Sequence, residues 1–247
     1  MVEKYNFLTK AIFKTEDILK EVSSESQMFA TIRTLIKSER IAKLKGGLYA
    51  TINPITQDIF ANRFEIATAI QKDAFVGYHS ALEFYGLGNQ MYSEVHVLTP
   101  TQYAEQSIGE LNYLFFRTNY FDGISVIEQN TTIRITELER TIVDCLDRLD
   151  VAGGIEEVFT AISAISYCDE EKILKHLSNY GKKFIYKKAG YFFSLIKPSY
   201  LSERFYKVCK ENISLRDDDI RENKQIKGKY INEWKLIVPD RIINTEN

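Results

Sequence analysis

The pattern that most constrains this fold lies in the first 50 residues, where short amphipathic segments precede a Gly-Gly turn. Tyr5, Leu8 and Ile12 have helical spacing and predict a first helix over 5–12. Thr15 precedes two acidic residues, which is typical of an N-cap and a first helical turn, and predicts a second helix over 16–22.

A third helix is predicted over Ser26–Ser38, with Ser24 or Ser26 as its N-cap. Its apolar residues predict a buried stripe made of Phe29, Ile32, Leu35 and Ile36. After it, residues 41–50 alternate around Gly46-Gly47 and predict a β-hairpin. Three short helices and a hairpin in this order predict a winged helix-turn-helix in residues 1–53.

A winged helix-turn-helix places its third helix in the major groove of DNA and its hairpin on the backbone. The side chains predicted to face the groove or the phosphates are Gln27, Thr31, Arg33, Thr34, Lys37, Lys43 and Lys45. Residues 1–50 carry nine Lys/Arg against six Asp/Glu, a net charge of +3 in a chain whose net charge is −2. This asymmetry favours a polyanionic partner. The alternatives are a winged helix that serves only protein contacts and a charged face that is merely solvated.

Residues 54–247 predict a larger α+β domain that begins after the break at Asn53-Pro54. Strands are predicted over 94–100, 113–117, 123–127, 132–135 and 233–238. Helices are predicted over 59–71, in one or two turns before Gly86, and over 137–148, 155–166, 170–180, 184–196 and 201–212. Thr136 and Glu139 predict a capping box at the helix over 137–148. The fold class is therefore α+β.

No pattern in the sequence indicates catalysis, a metal or a cofactor. The P-loop, the dinucleotide-binding glycines, HExxH and GxSxG are absent from the sequence. The three cysteines form no CxxC pair and are interpreted as reduced core thiols of a cytoplasmic protein. His79 with Glu83, and Asp144 with Asp147, are interpreted as structural polar groups. No apolar run is long enough to cross a bilayer, so we expect no membrane partner.

Lysines at 182, 183, 187 and 188 give a second hypothesis for DNA contact. Their spacing along a predicted helix gathers charge on one side, so Lys182, Lys183, Lys187 and Lys188 are candidate contacts to DNA that flanks the main site. The alternative is a solvated helix face.

Several segments together resemble the AbiEi antitoxin family. Lys45–Ala50 resembles that family's wing, Tyr78–Leu87 the opening motif of its second domain, and Val95–Pro100 the strand that follows. The most specific match is Ile135–Arg148, continued by Ala152–Glu157. These motifs occur in order across most of the chain, whereas the charged segment 214–229 lacks a clear family pattern.

The resemblance implies an antitoxin paired with an AbiEii-type nucleotidyltransferase toxin in phage abortive infection. It implies repression of the chain's own operon through operator DNA with inverted repeats, and neutralisation of the toxin by the second domain. The family is described as type IV, in which no stable complex with the toxin is required. A ligand-sensing regulator without a toxin and a DNA-acting enzyme are the competing hypotheses.

Overall fold

The computed structural model describes residues 5–128 and 131–243. Its elements in chain order are a 3-10 helix (Asn6–Thr9), β1 (Ile12–Lys14), α1 (Thr15–Leu19), α2 (Glu25–Lys37), β2 (Ile41–Lys45), β3 (Leu48–Thr51), α3 (Arg63–Ile70), β4 (Phe75–Val76), α4 (Tyr78–Phe84), β5 (Glu94–Thr99), β6 (Gln106–Ile108), β7 (Leu111–Arg117), β8 (Ile124–Glu128), β9 (Thr132–Thr136), α5 (Leu138–Asp147), α6 (Ile155–Ser163), α7 (Glu170–Tyr180), α8 (Lys183–Ile196), α9 (Glu203–Glu211), β10 (Asp218–Asp219), β11 (Gly228–Ile231), β12 (Leu236–Pro239) and α10 (Asp240–Ile243). The mixture confirms the α+β class.

The chain forms two compact units. The first comprises Met1–Val76, Tyr92–Asn119 and Ile124–Ile135; the second comprises Gly77–Met91, Tyr120–Gly123 and Thr136–Asn247. These borders differ from the predicted domains 1–53 and 54–247. The N-terminal segment nevertheless has its own apolar cluster, whose fully buried members all lie between Phe7 and Tyr49. That residues 1–53 fold independently stays a prediction.

The N-terminal segment begins differently from the prediction. Instead of a helix over 5–12, a 3-10 turn leads into β1, which pairs with β3 through Phe13 and Tyr49. The β-branched and aromatic residues Ile12 and Phe13 favour a strand here, and both are buried. The resulting antiparallel sheet has the order β1-β3-β2, so the predicted hairpin β2–β3 is confirmed and carries a third strand.

A six-stranded sheet of order β6-β7-β5-β4-β9-β8 makes up most of the rest of the first unit. Its centre mixes directions: β4 runs antiparallel to β5 and parallel to β9, and β5 runs parallel to β7. The strands predicted over 123–127 and 132–135 are present as β8 and β9, which are neighbours in this sheet. Val95 and Val97 of β5 and Ile133 and Ile135 of β9 are completely buried, in keeping with their alternation with His96 and Arg134 along the strands.

The second unit is mainly helical and carries a small sheet of order β10-β12-β11. One large apolar cluster runs through α5, α6, α8 and α9 and includes Trp234. Helix α7 begins and ends as predicted: the Asp169 side chain accepts hydrogen bonds from the backbone N–H groups of Glu171 and Lys172, and Gly181 ends the helix in the left-handed conformation.

The capping box predicted for α5 is wrong. The N-cap is Glu137, whose side chain makes no capping hydrogen bond. The Thr136 and Thr141 hydroxyls bond to each other at 2.7 Å, and the Glu139 carboxylate accepts from the backbone N–H of Asp169 at 3.0 Å. The two side chains of the predicted box therefore have other partners: Thr136 bonds to a residue within α5, and Glu139 to a residue 30 positions away.

Candidate nucleic-acid interface

Helix α2 buries a different stripe from the one predicted. Its buried residues are Met28, Thr31, Ile32 and Leu35, which have the i, i+3, i+4, i+7 spacing of one helix face. Phe29 and Ile36, assigned to the stripe from the sequence, are 55% and 41% exposed. The sequence contains two overlapping apolar stripes, and the packed structure selects the one that includes Thr31.

Thr31 is therefore wrong as a groove-facing residue. Its side chain lies against the apolar cluster of the segment and is 9% exposed. The other predicted residues of α2, Gln27, Arg33, Thr34 and Lys37, are exposed. Without Thr31, four of the side chains predicted to face DNA remain on the solvent side of α2.

These four side chains differ in their freedom to meet a ligand. Gln27 holds the turn before α2, because its Oε1 accepts from the backbone N–H of Ser23 at 2.9 Å. The Thr34 hydroxyl donates to the backbone oxygen of Ala30 at 2.9 Å. Within 5–128 and 131–243, Arg33 and Lys37 form no hydrogen bond or ion pair. Their donors are the ones open to an incoming acceptor.

The hairpin β2–β3 positions its two lysines differently. Lys43 is exposed, whereas Lys45 is half-buried and its Nζ donates to the backbone oxygen of Ile70 at 3.3 Å. An irregularity in register falls between them, so they do not share one face of the strand. Gly47 closes the turn at φ +75°, a conformation that L side chains rarely adopt. Lys43 is therefore the better placed of the two for phosphate.

The lysine patch predicted on the second unit is wrong at two of its four positions. Lys187 and Lys188 are 0% and 2% exposed, because α8 is buried around its whole circumference from 185 to 193. The Lys187 Nζ donates to Asp218 at 2.8 Å and also to the backbone oxygen of Arg216. The Lys187 ammonium is therefore held by partners inside the fold and does not meet DNA.

The Lys188 ammonium has fewer hydrogen-bond partners than that of Lys187. Its Nζ donates to the backbone oxygen of Asp147 at the end of α5 at 3.2 Å and lies 4.5 Å from the ring centre of Phe184. Burial lowers its pKa to about 8. Lys182 and Lys183 are exposed, and Lys182 pairs with Asp147 at 2.6 Å. Two exposed lysines, one of them paired, make a weak case for a second DNA contact.

A buried polar network in the second unit joins α4 to α6. The two ring nitrogens of His79 lie 3.0 Å from Glu83 Oε1 and 3.0 Å from Glu157 Oε1. Glu157 also accepts from the backbone N–H of Asn89 at 2.8 Å. The interpretation of His79 and Glu83 as a structural pair is consistent with this geometry, but Glu157, the third member, was not identified from the sequence.

We expect Glu157→Ala to lower the free energy of unfolding by about 2–3 kcal/mol, because it removes the acceptor of buried donors. Urea unfolding measures the change. Glu156→Ala, on the exposed side of the same helix, is the matched control with a much smaller expected effect. Equal effects of the two substitutions would show that the network contributes nothing beyond helix packing.

Asp144 is the most buried of the carboxylates that the sequence singled out. Burial raises its pKa, and Arg140, whose Nε lies 3.4 Å from its Oδ2, and the hydrogen-bonded Tyr180 hydroxyl act in the opposite direction. Asp147 instead pairs with Lys182. Within the described residues, no group of three or more His, Cys, Asp or Glu side chains is arranged to hold a metal. Asp144 and Asp147 therefore pair with basic side chains of the second unit.

Comparison with known proteins shows the fold. No family model matches the sequence. No curated protein matches it either. The structure is similar to the crystal structure of the RV2827C protein from Mycobacterium tuberculosis, with a TM-score of 0.67 and 12% identity over 92% of this chain and 86% of that chain. At this identity the two chains share an architecture. In the described part of this chain, no helix has the length and apolar character that a bilayer crossing requires.

Proposed function

We propose that this chain is a DNA-binding repressor and the antitoxin of a toxin–antitoxin pair. The N-terminal segment binds operator DNA, with α2 in the major groove and the β2–β3 hairpin against the backbone. The second part of the chain opposes a nucleotidyltransferase toxin. Neither activity requires catalysis by this chain.

The observation that carries the DNA-binding half is the exposed face of α2. A single-turn helix, α1, and the longer α2 precede a hairpin whose second strand pairs with β1. This order supports a winged helix-turn-helix in which a 3-10 turn stands in place of the predicted first helix. The solvent side of α2 carries Arg33 and Lys37, and the hairpin adds Lys43. Arg has the fork geometry that reads guanine in the major groove, and lysines neutralise phosphates.

The antitoxin half is supported by the resemblance of the second part of the chain to AbiEi proteins. Tyr78–Leu87 contains α4, and Ile135–Arg148 contains α5. Many side chains of these motifs are buried, among them His79, Arg140 and Asp144. The motifs therefore support a shared scaffold, and the surface that acts on the toxin lies among other residues.

Co-expression with the neighbouring gene tests the antitoxin half. We expect induction of that gene alone to arrest growth, and co-expression of this full-length chain from a foreign promoter to restore it. Restored growth without a co-purifying complex would fit the type IV mode. Failure to restore growth, with DNA binding intact, would favour a regulator unrelated to a toxin.

Substitution of Lys43 tests whether the β2–β3 hairpin contacts DNA. Lys43→Ala should weaken binding to all duplexes alike and reduce the slope of log affinity against log salt by about 0.9 for the lost phosphate contact. Fluorescence anisotropy from 50 to 300 mM salt measures the slope. Lys207→Ala, which removes an exposed lysine of α9 outside the predicted DNA contacts, is the control and should leave it unchanged. The same slope for Lys43→Ala and the wild type would remove the hairpin from the interface.

A further inference from the structure

Phe29 is a large apolar side chain on the solvent side of α2. It is 55% exposed, although apolar side chains of an amphipathic helix are expected inside. The buried residues of α2 are centred about 110° around the helix from Phe29, so Phe29 lies at the edge of the exposed side. Its exposed ring is therefore open to contact with a partner.

The neighbours of Phe29 on this face show which partner suits it. At 100° per residue, the middle of the exposed side is formed by Ser26, Ala30, Arg33 and Lys37, and Phe29 borders it one turn before Arg33. Ser26 and Ala30 are small and let the helix approach a surface closely. Glu25 and the exposed Ile36 lie beside Phe29 at the edge of this side, whereas the two charged residues in its middle, Arg33 and Lys37, are both cationic.

A cationic face with one aromatic side chain has a specific complement in the major groove. Thymine is the base that carries a 5-methyl group there, and Phe is one of the side chains that contact it, while Arg takes the O6 and N7 acceptors of guanine. Residues one helical turn apart are separated by about 6 Å along the axis, which is the span of one to two base steps.

We propose that Phe29 determines operator specificity by packing on the methyl group of a thymine that lies one or two base steps from a guanine read by Arg33. This inference rests on the proposed function, because it needs α2 in the major groove. It assigns to DNA recognition a residue that the helical pattern had assigned to the core.

The test uses duplexes that the full-length chain selects from a random pool, resynthesised with deoxyuridine in place of each thymidine in turn. Deoxyuridine lacks only the 5-methyl group. We expect loss of the methyl at one position per half-site to lower affinity about fourfold. Phe29→Ala should lower affinity for the thymine duplex by a similar factor and bind the two duplexes equally. Leu19→Ala, which truncates an exposed apolar side chain on α1, should keep the discrimination.

The outcomes separate this inference from the proposed function. Sequence-selective binding with no methyl-sensitive position, or an undiminished methyl effect in Phe29→Ala, overturns the role of Phe29 and leaves DNA binding intact. Absence of any selected sequence overturns the proposed function as well. Sedimentation of the DNA-free protein gives one further check: a change of oligomeric state in Phe29→Ala would show that Phe29 belongs to a protein interface, and the inference would be wrong.

Discussion

Replacing Gly190 with alanine is expected to destabilise the protein by about 2 kcal/mol, because a methyl group at this position would overlap the indole ring of Trp234. A Cβ at position 190 would lie 2.1 Å from Cζ3 and 2.3 Å from Cη2 of Trp234. Gly190 is in the middle of α8, and the Trp234 side chain is 1% exposed, so neither has room to move. An overlap this deep should cost about 3 kcal/mol, the upper end of the usual range for overpacking, and the better helix propensity of alanine offsets about 1 kcal/mol.

Thermal or urea unfolding of Gly190→Ala measures this cost. Gly46→Ala is the control, because a Cβ there meets nothing within 4 Å. Trp234→Leu gives a second check, since Gly190→Ala should cost less in its presence if the clash is with the indole. A Gly190→Ala variant as stable as the wild type would show that α8 does not pack on Trp234 as described.

The stability of the protein should fall above pH 8.5 because its three cysteines are buried thiols. Burial raises the pKa of Cys168 and of Cys209 to about 12, and raises the pKa of Cys145 well above its usual range. The folded chain keeps these protons while the unfolded chain loses them from about pH 8.5 upward. The contribution of the buried thiols to the free energy of unfolding is fully present below that pH. Between pH 7.5 and 9.5 the contribution of each thiol falls by about 1.4 kcal/mol.

The titration of Lys188 changes the stability in the opposite direction over the same pH range. Its folded pKa of about 8 lies below the ordinary value, so the unfolded chain holds the extra proton and stability rises with pH between about 8 and 10.5. The gain offsets roughly 2 kcal/mol of the loss of about 4 kcal/mol from the three thiols. The net expectation is a fall of about 2 kcal/mol from pH 7.5 to 9.5.

Two variants divide this pH dependence into its parts. In urea unfolding under reducing conditions, Cys209→Ala should make the fall about 1.4 kcal/mol shallower, and Lys188→Met should make it about 2 kcal/mol steeper. The comparison is of pH slopes, so the cost of each substitution at pH 7.5 does not enter. A wild-type stability that rises over this range, or equal slopes in the two variants, would contradict the buried environments described for these groups.

Elements with strong local signals were predictable from the sequence. Helix α7 has an Asp N-cap, a regular apolar stripe and a C-terminal glycine, and the structure confirms its bounds to the residue. Strand β5 and the β2–β3 hairpin were likewise identified from alternation and turn glycines. In these segments the local preference and the long-range packing agree.

Predictions failed where distant residues decide between two local choices. Helix α2 has apolar residues at 28, 29, 32, 35 and 36, so two stripes fit its periodicity, and contacts within the folded segment select one. The same holds for Lys187, whose partner Asp218 lies 31 residues away. Because α8 is buried on all sides from 185 to 193, its sequence has no polar face that would indicate which lysines point inward.

The arrangement of the candidate site was predictable only in part. Arg33, Lys37 and Lys43 follow from the charge pattern and are exposed as expected. Phe29 was assigned to the core, and Thr31 to the groove, because hydrophobicity alone indicated which side faces in. Glu157 and Trp234 gave no local signal, since each acquires its role from a residue at least 40 positions away.

The most direct measurement of the central claim is the affinity of the full-length chain and of Arg33→Ala for a labelled duplex from upstream of its own coding sequence. We expect selective binding over a scrambled duplex at 150 mM salt, and a loss of about 1–3 kcal/mol of that preference in Arg33→Ala, since a bidentate base contact is removed. Lys207→Ala, at an exposed lysine outside the predicted contacts, should bind as the wild type does. Equal affinity of the wild type for both duplexes, or of Arg33→Ala and the wild type for the upstream duplex, would contradict recognition of DNA through α2.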